Sequence, residues 1–147
     1  MNSKNVFATV MTVCLLLCAG CGQNVSVKGK VKLTDGTPVG RGQVVFENAQ
    51  FSARGDIKDD GSYVLGSLKA DDGLPPGEYT VYITGATQAG ESVSGQVRGG
   101  GGVIQTITIP SLTPIIAAKY TSASTSDLKC NVNKSMTFDI TVEPAGQ

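Results

Sequence analysis

The stretch Val25-Ser26-Val27-Lys28-Gly29-Lys30-Val31-Lys32-Leu33-Thr34 alternates without a break. Val25, Val27, Gly29, Val31 and Leu33 fall on one side of an extended chain, and Ser26, Lys28, Lys30, Lys32 and Thr34 fall on the other. Successive side chains of a strand point to opposite faces, so a period of two with one apolar set marks a half-buried β-strand. Asp35-Gly36-Thr37-Pro38 follows with turn chemistry: glycine tolerates positive φ and proline fixes its own. The chain then returns in a second expected strand, Gly42 to Glu47, carrying Val44, Val45 and Phe46.

The same reading extends downstream. Ser52 to Lys58 and Ser62 to Leu65 flank Asp59-Asp60-Gly61, a pattern that predicts a hairpin, with Tyr63 and Leu65 facing inward. Asp71-Asp72-Gly73-Leu74-Pro75-Pro76-Gly77 predicts a rigid loop leading into Glu78 to Thr84, where Tyr79, Val81 and Ile83 share one face. Ala86 to Gly102 is polar and glycine-rich with no packing face, and it reads as a mobile loop. Val103 to Ile109 predicts a strand ended by Pro110, while Pro114 to Tyr120 stays open between extended chain and a helical turn. Leu128 to Val132 and Met136 to Val142 predict the last two strands, with Met136, Phe138, Ile140 and Val142 facing the core. About seven short strands, with little to favour long helices, give an all-β class: a single antiparallel β-sandwich spanning residues 25–143, with 144–147 as a tail.

Upstream of the first strand the pattern changes. Lys4 supplies a positive start, Val6 to Leu17 is a nearly unbroken apolar run, and Cys18-Ala19-Gly20 places small residues before Cys21. The run is too short for a membrane-spanning helix, which needs about twenty apolar residues. Leu15-Leu16-Leu17-Cys18-Ala19-Gly20-Cys21 resembles the lipobox of bacterial lipoproteins, with Cys18 where the family usually has Leu. The resemblance implies that residues 1–20 are an export signal. It further implies that Cys21 is the lipid-attachment site, carrying diacylglycerol and palmitate-type acyl chains. The mature protein is then held on the outer face of a bacterial membrane, inner or outer. Residues 21–24 would be a short tether, so the domain is expected to sit against the membrane surface.

Composition excludes much. The chain has no histidine, which removes the usual general base at neutral pH and the usual zinc ligand. Removing Lys4 with the signal leaves 11 − 12 = −1 for the mature chain, so charge gives no reason to expect a nucleic-acid partner. Cys14 and Cys18 leave with the signal and Cys21 is acylated, so Cys130 stands alone. It alternates with Leu128 and Val132 and is expected to be a buried, inert thiol.

The turns carry a second resemblance. Val27-Lys28-Gly29-Lys30-Val31 with Asp35-Gly36-Thr37-Pro38-Val39, then Gly42-Gln43-Val44-Val45-Phe46, Asp59-Asp60-Gly61-Ser62-Tyr63 and Pro75-Pro76-Gly77-Glu78-Tyr79-Thr80-Val81, are similar to the carboxypeptidase regulatory-like domain, a transthyretin-like (prealbumin-like) β-sandwich. Ala118-Lys119-Tyr120 and Thr125-Ser126-Asp127-Leu128 resemble short bacterial lipoproteins built on it. In carboxypeptidases this domain is an accessory beside the catalytic one, and its cell-surface relatives bind carbohydrate, protein or wall material. The resemblance specifies a fold more than a function.

Candidate sites are few. Asp35, Asp59, Asp60, Asp71 and Asp72 precede glycines or prolong turns, and turn formation explains each without calcium. A Lys–Asn isopeptide bond drawn from Lys28, Lys30 or Lys32 with Asn131 or Asn133 is disfavoured, since strand phase puts these side chains on the polar face. Tyr82 and Tyr120 are the aromatics expected outside the core and so the candidate sugar platforms. No catalytic residue, metal or cofactor is expected. The expected function is a membrane-anchored, non-catalytic structural or adhesive module of the cell envelope. The alternative is an accessory module binding carbohydrate or peptide beside a separate enzyme or transporter. Its partners are the membrane, through the lipid, and an envelope protein or glycan, with oligomeric state open.

Overall fold

A computed structural model describes residues 24–67, 69, 71–98 and 104–146. The expected export signal of residues 1–20, Cys21 and the Gly99–Gly102 run fall outside the described residues. Among those described, twelve strands and one 3-10 turn build an all-β sandwich with a projecting arm.

The decisive stretch becomes β1 (Val27–Leu33), with Val27 and Val31 fully buried and Lys28, Lys30 and Lys32 exposed. It is the central strand of the first sheet. β4 (Ser62–Val64) pairs antiparallel along one edge. β11 (Met136–Thr137) and β12 (Ile140–Val142) pair parallel along the other. The break between β11 and β12 is a bulge at Phe138 and Asp139. There the Phe138 N–H donates to the Lys28 carbonyl at 2.8 Å, and the Lys30 N–H turns to the Asp139 carboxylate at 2.9 Å. Gly29 faces this bulge, and any Cβ there overlaps the Phe138 carbonyl, so the alternation has a hydrogen where its phase calls for a side chain.

The second sheet runs β10 (Lys129–Val132), β5 (Gly77–Thr84), β2 (Gln43–Glu47), β3 (Ser52–Asp56), antiparallel throughout. Phe46 of β2, Tyr79 of β5 and Tyr63 of β4 are the largest buried side chains between the layers. Phe46 meets Phe138 edge-on at 5.8 Å and Tyr79 at 6.3 Å. Burial forces each phenol to find a partner: Tyr63 Oη donates to the Phe138 carbonyl at 2.6 Å and Tyr79 Oη to the Pro75 carbonyl at 2.8 Å.

Asp59-Asp60-Gly61 makes a tight turn, with the Lys58 N–H donating to the Ser62 carbonyl at 2.9 Å, but it does not lay β4 beside β3 as a hairpin. β3 belongs to the second sheet and β4 to the first. The chain then crosses back, and Gly66 exchanges two 2.8 Å backbone hydrogen bonds with Arg54 of β3. Residues 62–66 thus bond to both layers and close one side of the sandwich.

Four further expectations are corrected. The strands number twelve rather than about seven, and the first sheet mixes parallel with antiparallel pairs. Much of the supposed loop from Ala86 is paired: β6 (Thr87–Ala89) with β9 (Leu112–Pro114), and β7 (Val93–Arg98) with β8 (Ile104–Ile109). Tyr120, expected to be exposed, lies buried in the 3-10 turn Ala118–Thr121, which packs it onto the core. The supposed tail also pairs, through an Ile116–Pro144 bridge and an Ala145 N–H donating to the Ile115 carbonyl at 2.9 Å.

The registers fix which end is which. Val25 bridges Leu74 and the Met136 N–H bonds to Ser26, so the start of β1 lies at the end where β5 begins. Leu33 pairs with Val142 at the other end, where the Ile115 N–H bonds to Ala86 at the base of the arm. Asn24 and the arm therefore occupy opposite ends of the domain. The seven residues of β1 separate them by about 23 Å at about 3.3 Å per residue.

Candidate functional site

The arm begins where Gly85, at φ 67°, turns the chain out of β5. Among the described residues β7 and β8 pair only with each other. Their register sets Val93 opposite Ile109, Gly95 opposite Ile107 and Val97 opposite Gln105 on one face. Ser94, Gln96 and Arg98 stand opposite Thr108, Thr106 and Ile104 on the other, where the Ser94 and Thr108 hydroxyls lie 3.2 Å apart. The first face is apolar and uncovered: Val93, Val97, Ile107 and Ile109 are between 42% and 67% exposed. Full burial of such a side chain is worth about 1.5–3 kcal/mol, so four half-exposed ones leave about 1 kcal/mol each ungained. Scattered exposed apolar residues are ordinary, but here four gather on one face of an isolated ribbon.

A second feature is an open groove of about 460 Å³ between β3 and the loop after β4. Arg54, Lys58 and Lys69 line it with Gln43, Asp56 and Asp71. Gln43 Nε2 donates to Asp56 Oδ1 at 2.8 Å, while Asp71 takes a left-handed backbone at φ 66°. The Asp72 carboxylate holds the loop by accepting from the Ser67 and Lys69 N–H groups. The groove offers a guanidinium and two ammonium groups to a polar ligand.

The turn aspartates do not converge. Asp35 accepts from the Thr37 N–H at 2.8 Å, and Asp60 accepts from the Ser62 N–H and hydroxyl at 3.0 and 2.6 Å. These bonds to the charged form hold both carboxyls below the ordinary value of 3.8. Asp60 also meets Lys30 at 3.6 Å, an exposed pair of little energetic consequence. Among the described residues no three Cys, Asp or Glu side chains gather as metal ligands, and no helix is long and apolar enough to cross a membrane.

Tyr82 is half-buried and donates to Glu47 Oε2 at 2.6 Å, a bond that raises its phenol pKa above the usual range. Tyr120 lies beneath Lys119, whose ammonium sits 4.7 Å from the ring centre and 2.8 Å from Glu143. Tyr120, buried and capped by Lys119, offers no free ring face of the kind a sugar stacks on. Cys130 is buried and burial pushes its thiol pKa up, away from nucleophilic use. Lys28, Lys30, Lys32, Asn131 and Asn133 are all exposed, as strand phase requires.

No family model, curated protein or solved structure matches the chain. The strand expected at Val103 to Ile109 is β8, but its partner β7 and the groove were missed. The signal for the arm was Ile104-Gln105-Thr106-Ile107-Thr108-Ile109, a β-branched run that needs an adjacent partner, and Val93-Ser94-Gly95-Gln96-Val97 supplies one.

Proposed function

We propose that this chain is an envelope lipoprotein, anchored on the outer face of a bacterial membrane through Cys21, whose domain is a non-catalytic interaction module presenting the β7–β8 arm away from the lipid. The observation that carries this reading is polarity: the chain enters the sandwich at Asn24 at one end, and the uncovered apolar ribbon leaves it at the other. An anchor on Cys21 leaves three residues before Asn24, about 10 Å of chain, which presses the entry end to the bilayer and points the arm outward. Kinship with carboxypeptidase regulatory-like domains belongs to the same proposal. It is supported by Asp35–Gly36 and Asp60–Gly61 falling at turns after β1 and β3, and by Pro75–Pro76 lying in the connection just before β5.

The test is metabolic labelling of the full chain with a palmitate analogue. Label enters the wild type and not Cys21→Ser, and the wild type stays with membranes through a high-salt wash; an unlabelled, salt-released wild type defeats the anchor. The groove along β3 favours a second reading, an accessory module for a polar or anionic carbohydrate or peptide. Binding on a glycan and peptide array that disappears with Arg54→Ala and Lys69→Ala would promote it over the first.

A further inference from the structure

The arm's apolar face carries a knob and a hole side by side. Ile107 stands out from β8, and directly across the ribbon Gly95 leaves β7 bare; a Cβ built at Gly95 meets nothing within 4 Å. We propose that this face binds a second copy of the same chain, the two arms lying face to face and parallel about a two-fold axis that runs along the arm.

The two-fold follows from the register. Rotation about the arm axis lays β7 of one copy over β8 of the other, so each Ile107 descends onto the partner's Gly95, and each Val93 onto the partner's Ile109. An isologous contact uses the same patch twice, so one knob and one hole per ribbon satisfy both copies. Stacking the arms tip to base instead sets Gly95 over Gly95 and Ile107 over Ile107, a void beside a collision. The parallel arrangement also leaves both Asn24 residues at the same end, which one membrane accommodates; the tip-to-base arrangement sends them to opposite ends.

Other occupants fit less well. With Cys21 as the first residue, the segment before Asn24 spans about 10 Å and cannot travel the about 23 Å of domain to the arm. The bilayer itself lies, on that reading, at the wrong end. The exclusion of these occupants rests on the proposed anchor, whereas the knob-and-hole fit does not.

Size sets how tight the contact is. A ribbon of six-residue strands is about 20 Å long and about 10 Å wide, a footprint of about 200 Å² per copy. Stable complexes bury about 800 Å² per partner. Two copies therefore associate weakly in dilute solution and fully only when a shared surface or high concentration holds them together.

The experiment co-expresses two differently tagged full-length chains, one carrying Gly95→Cys and the other Ile107→Cys, and mildly oxidises the membrane fraction. Parallel stacking gives a disulfide between the two tags at least about tenfold over the Gly95→Cys homodimer, as two-fold symmetry requires. Ile107→Arg in one copy abolishes co-purification of the two tags while the melting temperature stays unchanged. A dominant Gly95→Cys homodimer, no disulfide between copies, or crosslinking to a different protein each overturns the proposal. Repeating the oxidation on concentrated, detergent-purified Cys21→Ser chains separates the two readings. A disulfide that persists there sustains self-association even if labelling of Cys21 fails.

Discussion

The sandwich and the arm are both built of paired strands, yet they are held in different ways. In the sandwich the strands other than the two-residue β11 each carry buried side chains: β5 alternates with Tyr79, Val81 and Ile83 inside, and Phe46 is enclosed by Tyr79 and Phe138. In the arm, β7 and β8 keep the ladder but bury nothing, so only backbone hydrogen bonds and cross-strand contacts hold them. An isolated two-stranded ribbon is marginal in water. The sandwich therefore supplies the stability, and the arm's sequence is free of the demands of a core.

The comparison breaks most visibly if the core tolerates truncation. Phe46→Ala is expected to cost about 3–5 kcal/mol in urea denaturation, a large share of the about 5–15 kcal/mol typical of a domain. Next, Tyr63→Phe removes the donor to the Phe138 carbonyl at the bulge and should cost about 1–3 kcal/mol by the same measurement. A smaller effect separates the regions by pH. Asp35 and Asp60 titrate lower folded than unfolded, so their stabilisation is complete above the ordinary value of 3.8 and is lost as pH falls through and below it. Melting temperatures measured downward from pH 5 should fall in the wild type, and less steeply in Asp60→Asn. The smallest effect is expected in the arm: Val97→Ser, or Ile109→Ser, shifts stability by less than about 0.5 kcal/mol. Amide exchange should sharpen the contrast, with β7 and β8 exchanging well before β2 and β5.

Legibility followed the same division. β1, β5 and β10 were readable because burial imposes period two on their side chains, and Val27, Tyr79 and Cys130 stand where alternation puts them. In the arm, β8 was readable from its β-branched run, whereas β7 was taken for loop because pairing without burial leaves no such mark and Gly95 interrupts what pattern there is. The Asp59-Asp60-Gly61 turn was legible as a turn, but its chemistry does not say which sheet receives the next strand; Gly55, bare where Val64 crosses it, decides that by close approach. Tyr120 sits in a single 3-10 turn, too short for any period, and only the tertiary contact buries it. Of the candidate site, the groove joins Arg54 to Lys69 across a sheet crossing invisible in one dimension.

The central placement of β1 has a mechanical consequence. A pull between Asn24 and the arm acts along β1, which is bonded on one edge to β4 and on the other to β11 and β12. Force in that direction shears these hydrogen bonds together instead of unzipping them one at a time, so extraction is a single high-barrier event governed by the unfolding rate. Stretched from these two points in an optical trap, the domain should hold as a clamp and then yield all at once.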